Sequence, residues 1–275
     1  SIAQREAQVL HALQSVAGST TTKVYHPVPR LHSAFEEDSC FCLVIDLCGP
    51  PVTSLLSRDA APPSDGEVGP SGISLHAIRQ VALGLIGALL LLDTCGIIHG
   101  DIKPENILLA ETATKDEAAD VRVKVVDFGN AFPLREVEQY MEDEDGDGPP
   151  TGWEVQTLAY RAPEVLFGMP FGTAIDMWSV GIVLLELWLG KPVLLSSSPQ
   201  GTVCHLCAVF GPPPGAFRKG SAYRTYADGE GRLTEEVLQA GRQNGLSSEY
   251  PQLRFSCDDQ AQESKGGRFW QMDPQ

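Results

Sequence analysis

The chain has 275 residues, 43% hydrophobic, 20% charged and 7% aromatic, which is typical of a globular enzyme with a sizeable buried core. The net charge of −16 argues against a surface dedicated to nucleic acid, because phosphate binding requires clustered lysine and arginine. The seven cysteines have no regular spacing and no secretory signal opens the chain. We therefore expect reduced thiols and an intracellular protein, in the cytoplasm or nucleus.

The first half of the chain predicts a helix, a hairpin and a second helix. Apolar residues recur at helical spacing over residues 5–14. Two strand-like runs, 28–35 and 40–47, follow with an acidic turn at 36–38 between them. The pattern over 75–94 predicts a helix that is nearly apolar in its second half. Because its continuous apolar run has only twelve residues, we expect a buried helix and no membrane partner.

The second half predicts short strands, one buried helix and a weakly patterned end. Three short β-branched runs predict strands, at residues 97–98, 107–109 and 121–126. Residues 176–189 predict a second buried helix. Beyond Gly211 the chain is rich in proline, glycine and polar residues. We expect poor order there, apart from a short helix at 234–240.

Two motifs carry the residue types that phosphoryl transfer requires. The sequence HGDIKPEN spans residues 99–106, and Asp127-Phe128-Gly129 follows after the apolar run VRVKVV. Transfer of a phosphoryl group needs a carboxylate that orients the attacking hydroxyl, a cation near the phosphate, and oxygen ligands for magnesium. These roles fall to a small set of side chains, namely Asp101, Lys103, Asn106 and Asp127. A single Asp or Asn is usually a turn or capping residue, so the spacing of the set carries the prediction.

These motifs and two later ones resemble the eukaryotic protein kinases. Ala162-Pro163-Glu164 and the DMWSVG run at 176–181 complete the resemblance, which covers roughly residues 2–230. The sequences QTLAYRAPEVL and IDMWS look like the dual-specificity tyrosine-regulated and homeodomain-interacting branch of the CMGC group. The resemblance implies an α+β, two-lobed fold with an incomplete N-lobe and a mainly α-helical C-lobe. It places the N-lobe in residues 1–48, the C-lobe in 49–230, and a poorly ordered or divergent segment in 231–275.

The resemblance also implies an activity and a set of site residues. The expected reaction of the intact parent is phosphorylation of serine or threonine in protein substrates, with tyrosine left open, using ATP and Mg²⁺. Asp101, Lys103 and Asn106 are the expected catalytic residues, and Asn106 and Asp127 the expected metal ligands. The expected nucleotide-binding residues are Ile45, Asp46, Cys48, Glu105, Leu108 and Asp127. For Ile45 and Leu108, plain core packing is an equally good interpretation. The oligomeric state is left open.

The kinase resemblance leaves a rival interpretation open. Glu6 is expected to pair with a lysine on a preceding strand, yet neither that lysine nor a glycine-rich phosphate loop is present, so we expect truncation at both ends. The arginine expected to pair with Glu164 cannot be placed either. Four retained catalytic and metal groups favour an enzyme. The missing lysine and loop favour a weak pseudokinase or scaffold.

The activation segment departs from its branch in an informative way. Gly100 replaces the arginine that commonly gathers a phosphorylated residue, and Glu154 stands where related kinases have a regulatory tyrosine. Leu158 replaces one of two phosphate-holding arginines, and Arg161 remains. Glu154 is therefore a candidate permanent anion facing Arg161. Divergence without function explains the same substitutions.

Two further patterns suggest metals. Five residues match a calcium-loop spacing, namely Asp143, Asp145, Asp147, Gly148 and Glu154, but Pro149 and Pro150 interrupt it. A solvated acidic insertion is the competing interpretation, which we prefer. The lone Cys204–Cys207 pair has no second pair to complete a zinc site.

Overall fold

The protein is represented by a computed structural model that describes residues 2–17, 26–56, 73–110, 121–137 and 154–244. The chain divides into two compact units. The first comprises Ser1–Ala162 and Phe171–Val193, and the second comprises Pro163–Pro170 and Leu194–Gln275. This division does not follow the boundaries at residues 48 and 230 expected from the sequence, so the assignment of lobes stays a prediction.

The first unit begins with a helix and a hairpin, in agreement with the sequence. Helix α1 spans Ile2–Ala17, and strands β1 (Leu31–Glu37) and β2 (Cys40–Ile45) pair antiparallel. Asp38 and Ser39 form the turn with φ of 48° and 63°. Two successive left-handed residues give a turn whose twist matches that of the flanking strands. The turn lies slightly later than predicted, because Glu36 and Glu37 still pair with β2.

Helix α2 spans Leu75–Thr94 and is central to the first unit, as predicted. The Ser74 side chain caps it by accepting a hydrogen bond from the Ala77 amide. Gly84 allows close packing on the sheet, since a Cβ there would meet a Val123 methyl at 2.7 Å. Among the described helices, α2 alone is long and apolar enough to cross a membrane. Its buried face is equally typical of the core helix of a globular protein.

Two small sheets position the loops that carry the predicted catalytic motifs. The three-stranded sheet has the order β3-β5-β6, and β4 pairs with β7. The strand bounds are Cys48–Pro51 (β3), Ile97–Ile98 (β4), Ile107–Ala110 (β5), Val123–Val125 (β6) and Phe132–Pro133 (β7). Because β4 pairs with β7 and β5 pairs with β6, the loop between β4 and β5 lies beside the loop between β6 and β7. The sequence predicted β4, β5 and β6 but not the proline-ended β3.

The second unit is helical and better ordered than its sequence suggests. Its helices are α3 (Pro163–Leu166), α5 (Pro199–Phe210), α6 (Tyr223–Tyr226) and α7 (Glu235–Gln243), while α4 (Ala174–Leu189) belongs to the first unit. Phe167 packs against three aromatic rings, those of Phe217, Tyr223 and Tyr226, with centroids 5.2–5.9 Å apart. The expectation of poor order is therefore wrong for residues 211–230, because aromatic packing replaces regular periodicity there. The short helix expected at 234–240 is present as α7, and the assignment of 231–275 as a separate segment stays a prediction. Residues 245–275 lie outside the described residues.

Helix α5 is absent from the sequence-based prediction, although its start is encoded locally. The Ser198 hydroxyl accepts a hydrogen bond from the Gly201 amide, and Pro199 occupies the first turn. Burial raises the pKa of Cys204 to about 11 and that of Cys207 to about 12, so both thiols stay protonated at neutral pH. The three small sheets and the helices of the described chain together confirm the predicted α+β class.

Candidate active site

Asp101 is the centre of a hydrogen-bonded group in the loop between β4 and β5. Its Oδ2 accepts a hydrogen bond from Lys103 Nζ at 2.8 Å, and its Oδ1 accepts one from the Thr157 hydroxyl at 2.6 Å. Asn106 Nδ2 lies 2.9 Å from the Asp101 carbonyl oxygen and 3.4 Å from Oδ2. Lys103 Nζ also lies 3.3 Å from the Thr157 hydroxyl. Asp101, Lys103 and Asn106, which the sequence predicts as catalytic, therefore lie together.

The same contacts keep Asp101 ionised. Burial raises the pKa of its carboxyl group, but hydrogen bonds from Lys103 and Thr157 lower it further than burial raises it. The net pKa lies below the ordinary value for aspartate. Asp101 is therefore a carboxylate at neutral pH and can accept a hydrogen bond from an incoming hydroxyl group.

A buried carboxylate on helix α4 fixes the start of this loop. Asp176 accepts hydrogen bonds from the backbone amides of His99 (2.7 Å) and Gly100 (3.0 Å). Burial raises the pKa of Asp176, and the nearby His99 and the two amides oppose that rise. Gly100 has φ of 72°, a left-handed conformation that favours glycine. The two amides therefore converge on one carboxylate because the chain turns sharply at Gly100.

His99 joins the two loops that carry the motifs. Its Nδ1 accepts from the Asp101 amide at 3.2 Å, so its Nε2 is assigned the proton that it donates to the Val126 carbonyl at 3.1 Å. The Val126 amide donates in turn to the Asn106 carbonyl at 2.9 Å. These bonds bring Asp127, which follows Val126, to the same end of the sheets as Asn106 and Asp101.

Asp127 and Asn106 present oxygen atoms suited to magnesium. Asp127 has φ of 65°, unusual for a residue with a side chain, and its Oδ1 lies 3.4 Å from the Gly129 amide. Asn106 directs its Nδ2 to Asp101, so its carbonyl Oδ1 is the atom available to a cation. The described residues contain no group of three or more His, Cys, Asp or Glu that could hold a metal. One carboxylate and one amide fit Mg²⁺, which usually keeps water ligands and takes others from phosphates.

A cleft of about 700 Å³ lies beside these residues. Five of the six predicted nucleotide-binding residues line it, namely Ile45, Asp46, Cys48, Leu108 and Asp127. The other lining residues are Glu6, Leu43, Val44, Leu47 and Val126. Glu105 is the exception, because it is exposed on the short turn Pro104–Asn106 and does not line the cleft. The cleft has the apolar walls and few polar groups typical of small-ligand sites.

The side chain of Asp46 is occupied by structural contacts. Its carboxylate accepts from Lys124 Nζ at 2.7 Å, His32 Nε2 at 2.9 Å and the Arg30 amide at 3.1 Å. Burial raises its pKa, but the hydrogen bond from Lys124 and those from Arg30 and His32 outweigh burial and lower the pKa to about 2. Asp46 therefore holds the hairpin to strand β6 and is not a free charge in the cleft.

Glu6 contacts the Asp127-Phe128-Gly129 segment. The Phe128 amide lies 3.3 Å from Glu6 Oε1. Burial is the main cause that raises the pKa of Glu6, and the nearby Asp127 carboxylate raises it further. No salt bridge to Glu6 forms within the described ranges. Helix α1, whose Glu6 lines the cleft, is therefore tied to the segment that follows Asp127.

Glu154 faces Arg161, as the sequence suggests, but loosely. Arg161 Nη2 lies 3.5 Å from Glu154 Oε2, and the Glu154 side chain is 86% exposed. The same guanidinium donates from Nε (3.2 Å) and Nη2 (2.9 Å) to the Gln156 carbonyl. Gln156 has φ of 65°, and its amide donates to the Gly100 carbonyl at 2.8 Å. Arg161 therefore stabilises a turn that lies against the catalytic loop, while Glu154 adds an exposed charge.

Sequence reasoning missed Thr157 and the role of Gln156. The buried Gln156 side chain donates to the Ile175 carbonyl and the Ser179 hydroxyl, and accepts from the Ala162 amide. These bonds tie the segment to helix α4 and direct Thr157 to Asp101. No periodicity marks Thr157, because its role depends on a contact across 56 positions of sequence.

Two other features of the sequence, Glu164 and the calcium-loop pattern, find little support among the described residues. Burial raises the pKa of Glu164, and no salt bridge to it forms among the residues described. The calcium-loop pattern falls mostly on residues 143–148, outside the described residues.

Comparison with known proteins agrees with this geometry. A family model described as "Protein kinase domain" matches residues 3–209. The chain is 31% identical over 210 residues to homeodomain-interacting protein kinase 1 of Caenorhabditis elegans, covering 76% of this chain and 22% of that protein. It is 30% identical over 228 residues to human dual specificity tyrosine-phosphorylation-regulated kinase 4, covering 82% and 38% respectively. Dual specificity protein kinase YAK1 of Saccharomyces cerevisiae is 30% identical over 210 residues, covering 76% and 22%.

The chain thus spans between about a fifth and two fifths of the length of these relatives. The relatives are the branch of the CMGC group that the motifs resemble. The matched region contains both loops described above, with Asp101, Asn106 and Asp127. The chain belongs to the protein kinase family.

Proposed function

We propose that this chain catalyses transfer of the γ-phosphoryl group of ATP to serine or threonine hydroxyls of protein substrates. The observation that carries this proposal is the position of Asp101, a buried carboxylate held by Lys103, Thr157 and Asn106. A carboxylate in that position can accept the hydrogen bond of an attacking hydroxyl and orient it. Family membership supports protein substrates, and an intracellular location is part of the proposal.

In this mechanism each residue has a distinct task. Asp101 orients the substrate hydroxyl and accepts its proton as the new P–O bond forms, while the bond between the γ-phosphorus and the β–γ bridging oxygen of ATP breaks and ADP leaves. Lys103 Nζ donates a hydrogen bond to Asp101 Oδ2 at 2.8 Å, which holds that carboxylate in place. Lys103 also supplies positive charge near the phosphoryl group that is being transferred. Thr157 keeps the second carboxylate oxygen of Asp101 in place through its 2.6 Å hydrogen bond. Positioning and electrostatic stabilisation of this kind account for most of the catalysis in phosphoryl transfer.

The cleft and the two oxygen donors fit the reactants. Ile45, Cys48 and Leu108 give the walls against which an adenine ring would pack. Asn106 and Asp127 would hold magnesium, which neutralises charge on the phosphates when bound. Asp127 lines the cleft, which supports its proposed role beside the phosphates of a bound nucleotide.

The test is phosphate incorporation from labelled ATP and Mg²⁺ into a general serine- and threonine-containing protein substrate. Asp101→Asn should lower the rate at least about 100-fold, because an amide cannot accept the hydroxyl proton. Asp38→Asn is the matched control, since Asp38 is exposed at the hairpin turn and has positive φ, which Asn tolerates. Equal rates for wild type and Asp101→Asn would contradict the proposal.

One observation favours a second candidate, a pseudokinase or scaffold with little turnover. Glu6 accepts from the Phe128 amide, and no lysine or arginine of the described chain pairs with it. Phosphates in the cleft would then lack one cation, and nucleotide binding would be weak. A wild-type chain that binds protein partners but incorporates no phosphate, with Asp101→Asn indistinguishable from it, would favour this candidate.

A further inference from the structure

Helix α2 carries an apolar stripe on the face opposite its buried side. Leu83, Ile86 and Leu90 are 58%, 40% and 64% exposed, although all three are large hydrophobic side chains. At about 100° per residue, they lie within an arc of about 60° on the helix surface. Leucine and isoleucine adjacent on a solvent-facing stripe mark an interaction surface more often than isolated apolar residues do.

A charged residue terminates the stripe at each end. Arg79 precedes it and Asp93 follows it, and both are exposed. Each lies seven residues from Ile86, so both fall on the same face, within about 20° of Ile86. The Thr173 hydroxyl donates to Asp93 Oδ1 at 2.8 Å, which leaves Oδ2 available to a second donor. From the N-terminal to the C-terminal end of the helix, the stripe therefore has a basic residue, three apolar residues and an acidic residue.

This order is complementary to itself. If two copies of α2 pack antiparallel about a two-fold axis at Ile86, Arg79 of each copy lies opposite Asp93 of the other. Leu83 of one copy then packs near Leu90 of the other copy, and Ile86 of one copy packs against Ile86 of the other. A two-fold interface requires this property, since the same patch must serve both partners. Two Arg–Asp pairs at the ends favour the antiparallel register over the parallel one, in which like charges would meet.

We propose that the stripe formed by Arg79, Leu83, Ile86, Leu90 and Asp93 is a self-association surface, and that its occupant is the same stripe of a second copy of this chain. Three apolar residues and two exposed ion pairs form a small interface, so the dimer is weak, with Kd on the order of 10–100 µM. Its formation does not depend on phosphoryl transfer, because the stripe lies on a different face of α2 from the sheets that hold the catalytic loop.

The experiment is sedimentation velocity of the full 275-residue chain over a range of concentrations that spans that Kd. Ile86→Glu places two carboxylates against each other at the two-fold axis and should raise Kd at least about tenfold. Arg79→Asp and Asp93→Arg should each weaken the dimer, because each places like charges opposite one another. The double variant Arg79→Asp with Asp93→Arg restores opposite charges and should restore the dimer. Lys219→Asp makes the same change in net charge as Arg79→Asp, from one positive to one negative charge, at an exposed site of the second unit and should leave Kd unchanged.

Two results would overturn the proposal. The first is a chain that stays monomeric at the highest concentration, well above the expected Kd. The second is a dimer that Ile86→Glu does not weaken, or one that the charge-swapped double variant fails to restore after each single variant weakens it. Circular dichroism of every variant establishes that it is folded. Because all the substituted residues are exposed, the helix is expected to survive each change.

Discussion

The hydrogen bond from Thr157 to Asp101 gives the most specific mutational prediction. Thr157→Val removes the hydroxyl and keeps the shape of the side chain, whereas Thr157→Ser keeps the hydroxyl. The bond is 2.6 Å long and its acceptor is ionised. Hydrogen bonds to charged groups contribute about 1.5–3 kcal/mol. Thr157 is itself exposed, which favours the lower end of that range.

If Thr157→Val raises the activation free energy by about 1.5–3 kcal/mol, kcat/KM should fall by about 10- to 150-fold, with the lower end favoured. Thr157→Ser should retain most of the activity. The pH profile gives an independent readout. The Thr157 hydroxyl lowers the pKa of Asp101, so its removal should raise that pKa and move the acidic limb of kcat/KM to higher pH.

The assay is initial-rate kinetics with labelled ATP from about pH 8 down to about pH 2.5, so that the range extends below the ordinary aspartate pKa, for wild type and both variants at matched folded fraction. The reasoning is refuted if Thr157→Val and Thr157→Ser have equal kcat/KM, or if the acidic limb does not move. A decrease in rate without a shift of that limb would mean that Thr157 contacts the substrate and does not act on Asp101.

Three further predictions concern backbone strain, control and pH. Gly100→Ala should lower the free energy of unfolding in urea by about 1–2 kcal/mol, because φ at this position is 72° and the added Cβ would lie 3.1 Å from the Phe132 ring. Gly181→Ala is the control and should not lower the free energy of unfolding, because the space around Gly181 is open. Glu154→Gln should lower activity by less than about fivefold, because the ion pair between Glu154 and Arg161 is exposed. Phosphatase treatment should leave wild-type activity unchanged. If the substitution has no effect on activity, Glu154 does not act as a phosphate mimic. Asp46→Asn should lower the free energy of unfolding near neutral pH, and the difference in that free energy between wild type and variant should vanish as the pH falls from about 4 to about 2. A difference that stays constant with pH would contradict this prediction.

The sign of the Asp46 prediction follows from its pKa. In the folded chain this pKa is about 2, below the ordinary value of 3.8. The ionised carboxylate therefore stabilises the fold fully above the unfolded-state pKa. That contribution is lost as the pH falls through the folded-state pKa and the carboxylate becomes protonated.

Local sequence patterns predicted those helices and strands that are determined by residues close together in the sequence. The apolar spacing of helix α2 gave its bounds, and alternation gave the hairpin, because both depend on neighbours within a few residues. The motif spacing singled out Asp101 and Asn106 as candidates, and the structure brings them together because the loop that holds them is short. Their catalytic roles stay a prediction. Thr157 could not be predicted from the residues, because its role depends on a contact with a loop far away in the sequence.

The errors have similar physical causes. The order of residues 211–230 depends on rings packing around Phe167, which has no periodic signature in sequence. Glu105 was carried over with its motif and stays a prediction; the turn that buries Asn106 exposes its side chain, and that side chain does not line the cleft. Helix α5 was overlooked although Ser198 and Pro199 form a recognisable start signal.

The most direct test of the central claim measures binding and chemistry separately for wild type and Asp101→Asn. Affinity for ATP with Mg²⁺ is measured by titration, and phosphoryl transfer is measured in a single turnover with excess enzyme. If Asp101 orients the attacking hydroxyl, nucleotide affinity should change less than about threefold while transfer slows at least about 100-fold. Phosphate should appear on serine or threonine with the wild-type chain. Equal transfer by both proteins, or loss of transfer only in proportion to loss of ATP binding, would contradict the account.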